Sequence, residues 1–176
     1  LCMSGDPGSK TDVEEWTGAG ADIGAWGTGG DLNRTRYNTS GVAVSNTSAL
    51  AYGGNYPPGD NYAGETEQYD GTSWTEVGDM NTARELVGGA GTTTSALAIG
   101  GNAPSTTIKD IVESWNGSAW TEVGDLNTTR ATGGGFGIQT SAMMATGNTY
   151  PPIDPMPEHF CTTAPDGKLK RHGSQL

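Results

Sequence analysis

The segment "WTEVGDMNTAR" (Trp74 to Arg84) returns 46 positions later as "WTEVGDLNTTR" (Trp120 to Arg130), and a looser version, "WGTGGDLNRTR", runs from Trp26 to Arg36. A catalytic motif normally occurs once, whereas a building block recurs, and a fixed period restricts a chain to stacked or radially repeated architectures. A second series keeps the same time: "LCMSGD" (1–6), "LAYGGN" (50–55), "LAIGGN" (97–102) and "MMATGN" (143–148), whose starts lie 49, 47 and 46 positions apart. Each is followed by an acidic residue two before an aromatic: Glu14 and Trp16, Glu67 and Tyr69, Glu113 and Trp115, Glu158 and Phe160.

Short strand signals alternate with turn signals inside each unit. In the third unit, Leu86 to Gly91, Ser95 to Gly101, Ile111 to Trp115 and Ala119 to Val123 are four runs of strand length. Asp70-Gly71 and Asn116-Gly117 separate the last two runs in successive units, and such dipeptides favour the type I′ turn of a tight hairpin. The expected unit is a four-stranded antiparallel meander in an all-β fold. No segment sustains a 3.6-residue apolar period, so helix is expected to be nearly absent. Leu, Ile, Val and Phe together make up 23 of 176 residues, few enough to suggest disorder. Five Trp and six Tyr at regular intervals argue for order, because large rings bury area where aliphatic residues are scarce.

The glycine pairs closing an apolar run (Gly53 and Gly54, Gly100 and Gly101), the aromatics Trp16, Tyr69 and Trp115, the tryptophans Trp26, Trp74 and Trp120, and the arginines Arg36, Arg84 and Arg130 stand in the order of a kelch repeat. The pattern resembles kelch-type β-propellers, whose repeat is close to ~50 residues. That resemblance implies blades with glycines where inner strands crowd an axis and with aromatics packed on the neighbouring blade. It divides the single domain 1–176 into a partial blade 1–37, blades 38–85 and 86–131, a partial blade 132–165 and a basic tail 166–176. The first unit carries the extra residues "TGAGADIGA" and lacks its first strand; the fourth is rich in proline and has Thr146-Gly147 in place of the glycine pair. The expectation is an incomplete propeller, or one shared between chains.

Net charge is −11, and residues 1–167 hold all 20 acids against six basic residues, with Lys168, Lys170 and Arg171 in the tail. Such a body repels phosphate backbones, so nucleic acid is not an expected partner. No apolar run approaches the ~20 residues of a membrane span, and no signal-peptide pattern is present. The chain opens on Leu1, which reads as processing or as the visible part of something longer.

Candidate chemistry is sparse. Recurring arginines invite comparison with sialidases, but equivalent positions in successive units suit a structural tie to the Gly-Asp-x-Asn loop or to Glu14, Glu67 and Glu113 in the next blade. Asp31 and Asn33, Asp79 and Asn81, and Asp125 and Asn127 offer too few oxygens for Ca²⁺ and read as hydrogen-bonded turns. His159 and Cys161 beside Glu158 form the single metal-like cluster, without zinc spacing. Cys2 and Cys161 are the two cysteines, and sequence alone does not place them within bonding distance. No catalytic residue, metal site or cofactor is expected.

The Gly-, Thr- and Asn-rich style of Glu113 to Ala142 is similar to kelch-like repeats in predicted virion proteins of bacteriophages that infect cyanobacteria. That resemblance implies a non-enzymatic structural or binding module, in a virion or extracellular. It would be a tail fibre or surface appendage whose partners are other virion proteins or copies of itself, with loops facing a host receptor or surface glycan. The alternatives are a glycan-active propeller enzyme, sialidase-like or copper oxidase-like, and a secreted bacterial adhesin.

Overall fold

The computed structural model describes residues 2–3, 13–17, 25–59, 61–105, 107–149, 162–163 and 169–170. Among them every regular element is a strand, every strand pair is antiparallel, and there is no helix. Strands β1 (Cys2–Met3), β2 (Val13–Thr17) and β3 (Ala25–Thr28) form a three-stranded sheet. The next sheet begins with β4 (Ser40–Ser45) and β5 (Ser48–Tyr52). A small hairpin, β6 (Asn55–Tyr56) and β7 (Asn61–Tyr62), then leaves it before β8 (Thr66–Tyr69) and β9 (Trp74–Glu76) complete the order β4-β5-β8-β9.

The third unit repeats this plan. It consists of β10 (Gly88–Thr92), β11 (Ser95–Ile99), the excursion β12 (Asn102–Ala103) and β13 (Thr107–Ile108), then β14 (Val112–Trp115) and β15 (Trp120–Glu122). Its sheet order, β10-β11-β14-β15, is again a meander. A two-stranded sheet follows, β16 (Gly134–Ile138) with β17 (Ser141–Ala145), and β18 (Thr162–Thr163) pairs with β19 (Leu169–Lys170).

Two local expectations are corrected. The hairpins between the last two strands are not two-residue type I′ turns, because Tyr69 pairs with Trp74 and Trp115 with Trp120, leaving four-residue loops. Type I′ needs positive φ at both central residues. Here Gly71 and Gly117 have it, while Asp70 and Asn116 instead accept bonds through Oδ1 from the backbone N–H groups two and three residues on. The first strand of the third unit starts at Gly88 and not at Leu86, whose φ of 54° places it in the left-handed region.

The sheets lie side by side through their first strands, and glycine sets the distance. A Cβ added to Gly89 would stand 2.8 Å from the Gly41 carbonyl oxygen, and one on Gly135 would stand 2.5 Å from the Gly89 carbonyl oxygen. These glycines, and not the Gly53-Gly54 and Gly100-Gly101 pairs, let the first strands crowd together. Hydrogen bonds between units run the same way: Leu86 N–H donates to the Asn38 carbonyl, and Thr132 N–H to the Leu86 carbonyl.

Apolar clusters fill the space between sheets. Leu50 and Tyr52 of one sheet pack with Met80, Ala96, Ala98, Trp115 and Trp120. One unit earlier, Val13 and Leu32 pack with Ala49, Ala51, Tyr69 and Trp74. Small alanines on the second strand make room for the paired rings, 5.0 Å apart for Tyr69 and Trp74 and 5.4 Å for Trp115 and Trp120. Aromatic area thus replaces the missing aliphatic core.

Candidate functional site

The Gly-Asp-x-Asn-x-x-Arg segment links each sheet to the next, and its polar side chains converge on one buried carboxylate. Arg84 Nη2 donates to Glu113 Oε1 at 2.8 Å, and neither side chain has accessible surface. Arg84 Nη1 donates to the carbonyls of Gly100 (2.6 Å) and Ile111 (2.8 Å), so one guanidinium closes the sheet end around the carboxylate. Asn81 completes the set: its backbone N–H and Nδ2 both donate to Glu113 Oε2, and Nδ2 also donates to the Trp120 carbonyl. The Thr82 N–H donates to Glu113 Oε1.

One unit earlier the arrangement is the same. Arg36 Nη2 donates to Glu67 Oε1 at 2.5 Å, and Nη1 donates to the Gly53 and Glu65 carbonyls. Asn33 donates to Glu67 Oε2 and to the Trp74 carbonyl. Arg and Asn come from one unit and Glu from the next, so each cluster is a rivet between sheets. Burying a carboxylate alone is prohibitive, and this density of charge-assisted donors replaces the hydration it gives up. Burial pulls the Arg84 guanidinium below its usual range, with the Glu113 charge opposing that shift.

The remaining sequence-predicted positions are distributed around these rivets. Gly53 and Gly100 have φ of 66° and 63°, and each offers the carbonyl that the arginine binds. Gly54 and Gly101 follow with φ of 105° and 103°. Trp74 Nε1 donates to the Gly30 carbonyl, Trp120 Nε1 to Thr66 Oγ1 and Trp115 Nε1 to the Thr93 carbonyl, so each ring is both packed and anchored. Tyr69 donates to Glu15 at 2.5 Å, and that bond raises the phenol's pKa.

The ends of the series differ. Trp16 stands opposite Trp26 in register but is 46% exposed, and Glu14 is exposed. Arg130 is half-buried and donates to the Thr146 carbonyl, the counterpart of the Gly53 and Gly100 carbonyls. Its expected acid, Glu158, lies outside the described residues, as do His159, Cys161 and His172. The Cys2–Cys161 question therefore also falls outside them.

Asn33 and Asn81 are corrected from turn-capping residues to inter-sheet donors, a role the recurrence of Asn and Glu together could have suggested. The excursion hairpins escaped sequence reading, since two-residue strands leave no periodic trace. One of them carries a surface feature: Arg34 stacks 3.4 Å above the Tyr56 ring and pairs with Glu65, while Tyr37 donates to the Gly59 carbonyl. Among the described residues no group of three or more His, Cys, Asp or Glu is placed to hold a metal ion. No helix there is long and apolar enough to cross a membrane.

Comparison with known proteins bears on the fold alone. No family model matches the chain, and no curated protein does. Among solved structures, that of YjhT, which is β-propeller-like, matches with a TM-score of 0.61 at 14% identity over 72% of this chain. The chain spans 43% of the length of that neighbour.

Proposed function

We propose that the chain is a non-enzymatic structural and binding module: a run of kelch-type propeller blades serving as a bacteriophage virion component, in a tail fibre or surface appendage. The observation that carries this reading is the fate of the recurring polar residues. Arg36, Arg84, Glu67, Glu113, Asn33 and Asn81 are consumed in rivets between sheets, where they stabilise the array, and the arginines and glutamates among them are buried. The antiparallel meanders and the likeness to YjhT support the propeller part. The repeat style of Glu113 to Ala142 supports the virion part.

The units differ most in the excursion between second and third strands, where Asn55 to Tyr62 carries two Tyr with Pro and Gly between them in sequence and the Arg34–Tyr56 stack. Exposed Arg34, which covers the buried Tyr56 ring, and the half-buried Tyr37 and Tyr62 suit a receptor or glycan surface. The purified chain should therefore compete with particles for adsorption to host cells. Replacing Pro57, Pro58 and Gly59 with serines should abolish that competition while leaving the β-rich circular dichroism unchanged. Competition that survives the replacement removes the receptor role and leaves a structural one, and turnover on a glycan panel would refute the non-enzymatic reading.

A further inference from the structure

The two ends of the described array are halves of the contact that the chain makes twice inside itself. At the later end, the third Gly-Asp-x-Asn-x-x-Arg loop makes no such contact among the described residues. A Cβ on Gly30 would stand 2.5 Å from the Thr72 carbonyl of the next hairpin, and one on Gly78 would collide with the Ser118 carbonyl, whereas one on Gly124 meets none of the described residues within 4 Å. Leu32 and Met80 are buried under the next unit's ring pair, but their counterpart Leu126 packs on its own unit. Among the described residues β17 pairs with β16 alone, while β5 and β11 are paired on both edges. Phe136 and Ile138 on β16 and Met143 on β17 are 56%, 56% and 62% exposed, an apolar face of the kind that marks an interaction site.

At the earlier end stands the receiving half. Glu14 occupies on β2 the register of Glu67 and Glu113, opposite Cys2 as they are opposite Ala51 and Ala98. Unlike those two, it is exposed. Strand β1 covers β2 with two residues where β5 and β11 cover their neighbours with four.

Resting on the propeller reading above, we infer that these halves meet between two copies of this chain. Strand β17 of one copy pairs with β2 of the other, taking the place of β1, so that Met144 faces Glu14 where Cys2 now does. Asn127 and Arg130 then close on that Glu14 as Asn81 and Arg84 close on Glu113. The new sheet has the order β16-β17 from one copy and β2-β3 from the other. One contact answers both open ends, whereas a segment of the same chain carrying Glu158 would answer one and leave Glu14 exposed. Such a head-to-tail contact closes into a ring or grows into a filament. Each chain brings two complete four-stranded sheets. Two copies closing on each other add one sheet at each of two junctions and reach six, within the ~4–8 of known propellers.

Charge reversal tests this on the full 176-residue chain by analytical ultracentrifugation. The wild type should sediment at twice its 18.1 kDa. Glu14→Arg and Arg130→Glu should each weaken association by roughly a hundredfold or more, as loss of a buried charge pair does. Mixing the two variants should restore the dimer, because both junctions of the mixed pair then join opposite charges; a misfolded variant would not be rescued. A wild type that stays monomeric, association indifferent to both reversals, or a mass that climbs beyond two copies would overturn the inference. So would Glu158→Gln loosening the association while Glu14→Arg leaves it intact. A monomer with an unchanged β-rich spectrum and intact host-cell competition would remove the shared ring and leave the proposed function standing.

Discussion

At the residue scale, the rivet is the costliest feature to disturb. Arg84→Ala strands the Glu113 carboxylate without accessible surface, so urea denaturation should show a loss of about 3–5 kcal/mol. Arg84→Lys keeps the charge but not the fork that reaches Glu113, Gly100 and Ile111 together, and should recover only part of that loss. Thr146 offers a gain. It holds φ of 63° where its counterparts are Gly53 and Gly100, a conformation that costs a β-branched residue energy. Thr146→Gly should therefore stabilise by about 1 kcal/mol in the same assay. Burial raises the pKa of Tyr52, whose hydroxyl donates to the Leu97 carbonyl. A phenol with a folded pKa above its unfolded value contributes fully below about pH 10 and loses that contribution as pH rises. Denaturant midpoints should fall in alkali with a slope reduced in Tyr52→Phe.

At the element scale, the spacing between neighbouring sheets is set by backbone. An added Cβ at Gly135 would meet the Gly89 carbonyl oxygen at 2.5 Å and its nitrogen and carbonyl carbon at 2.8 Å, none of which can swing aside. Gly135→Ala should cost about 1–3 kcal/mol, whereas Gly124→Ala, with none of the described residues within 4 Å of the new Cβ, should leave the isolated chain's melting unchanged or slightly raised. The period and the four-stranded meander were legible in sequence, because aromatic and turn residues recur at positions that strand geometry fixes; the pairing of Tyr69 with Trp74 was not, since the Asp70-Gly71 dipeptide suggested a tighter turn. The excursion hairpins were not, since β6, β7, β12 and β13 have two residues each and no alternation can show in two. The rivet was half legible. Recurrence pointed to Arg36 and Arg84 bonding Glu67 and Glu113, but the reach of Asn33 and Asn81 across the sheet boundary depends on a loop path that composition does not encode. The crowding of the first strands was not legible, because Gly41, Gly89 and Gly135 carry no mark in sequence of which glycine meets the neighbouring sheet, while Gly53 and Gly100 crowd the carbonyls of Arg84 and Arg130 instead.

At the scale of the whole molecule, each sheet contacts its neighbours in series, so stability is distributed as a sum of unit and interface terms. The sheets β4-β5-β8-β9 and β10-β11-β14-β15 have a partner on each side, through the clusters around Tyr69 and Trp115. Sheet β16-β17 is covered on one side and exposes Phe136, Ile138 and Met143 on the other. Native-state hydrogen exchange should therefore show the greatest protection in β11 and β14 and the least in β16 and β17 at low protein concentration. If a second copy pairs with the open edge, the amides of Ser141 to Ala145 acquire partners only in the assembly, and their protection should rise with protein concentration while that of β11 stays constant. Added salt should strengthen the effect, because two chains of net charge −11 repel each other at long range while the Arg130–Glu14 contact forms at short range, out of reach of screening. Protection of β17 that does not change over a wide range of concentration, in salt or without it, would mean that the open edge stays open.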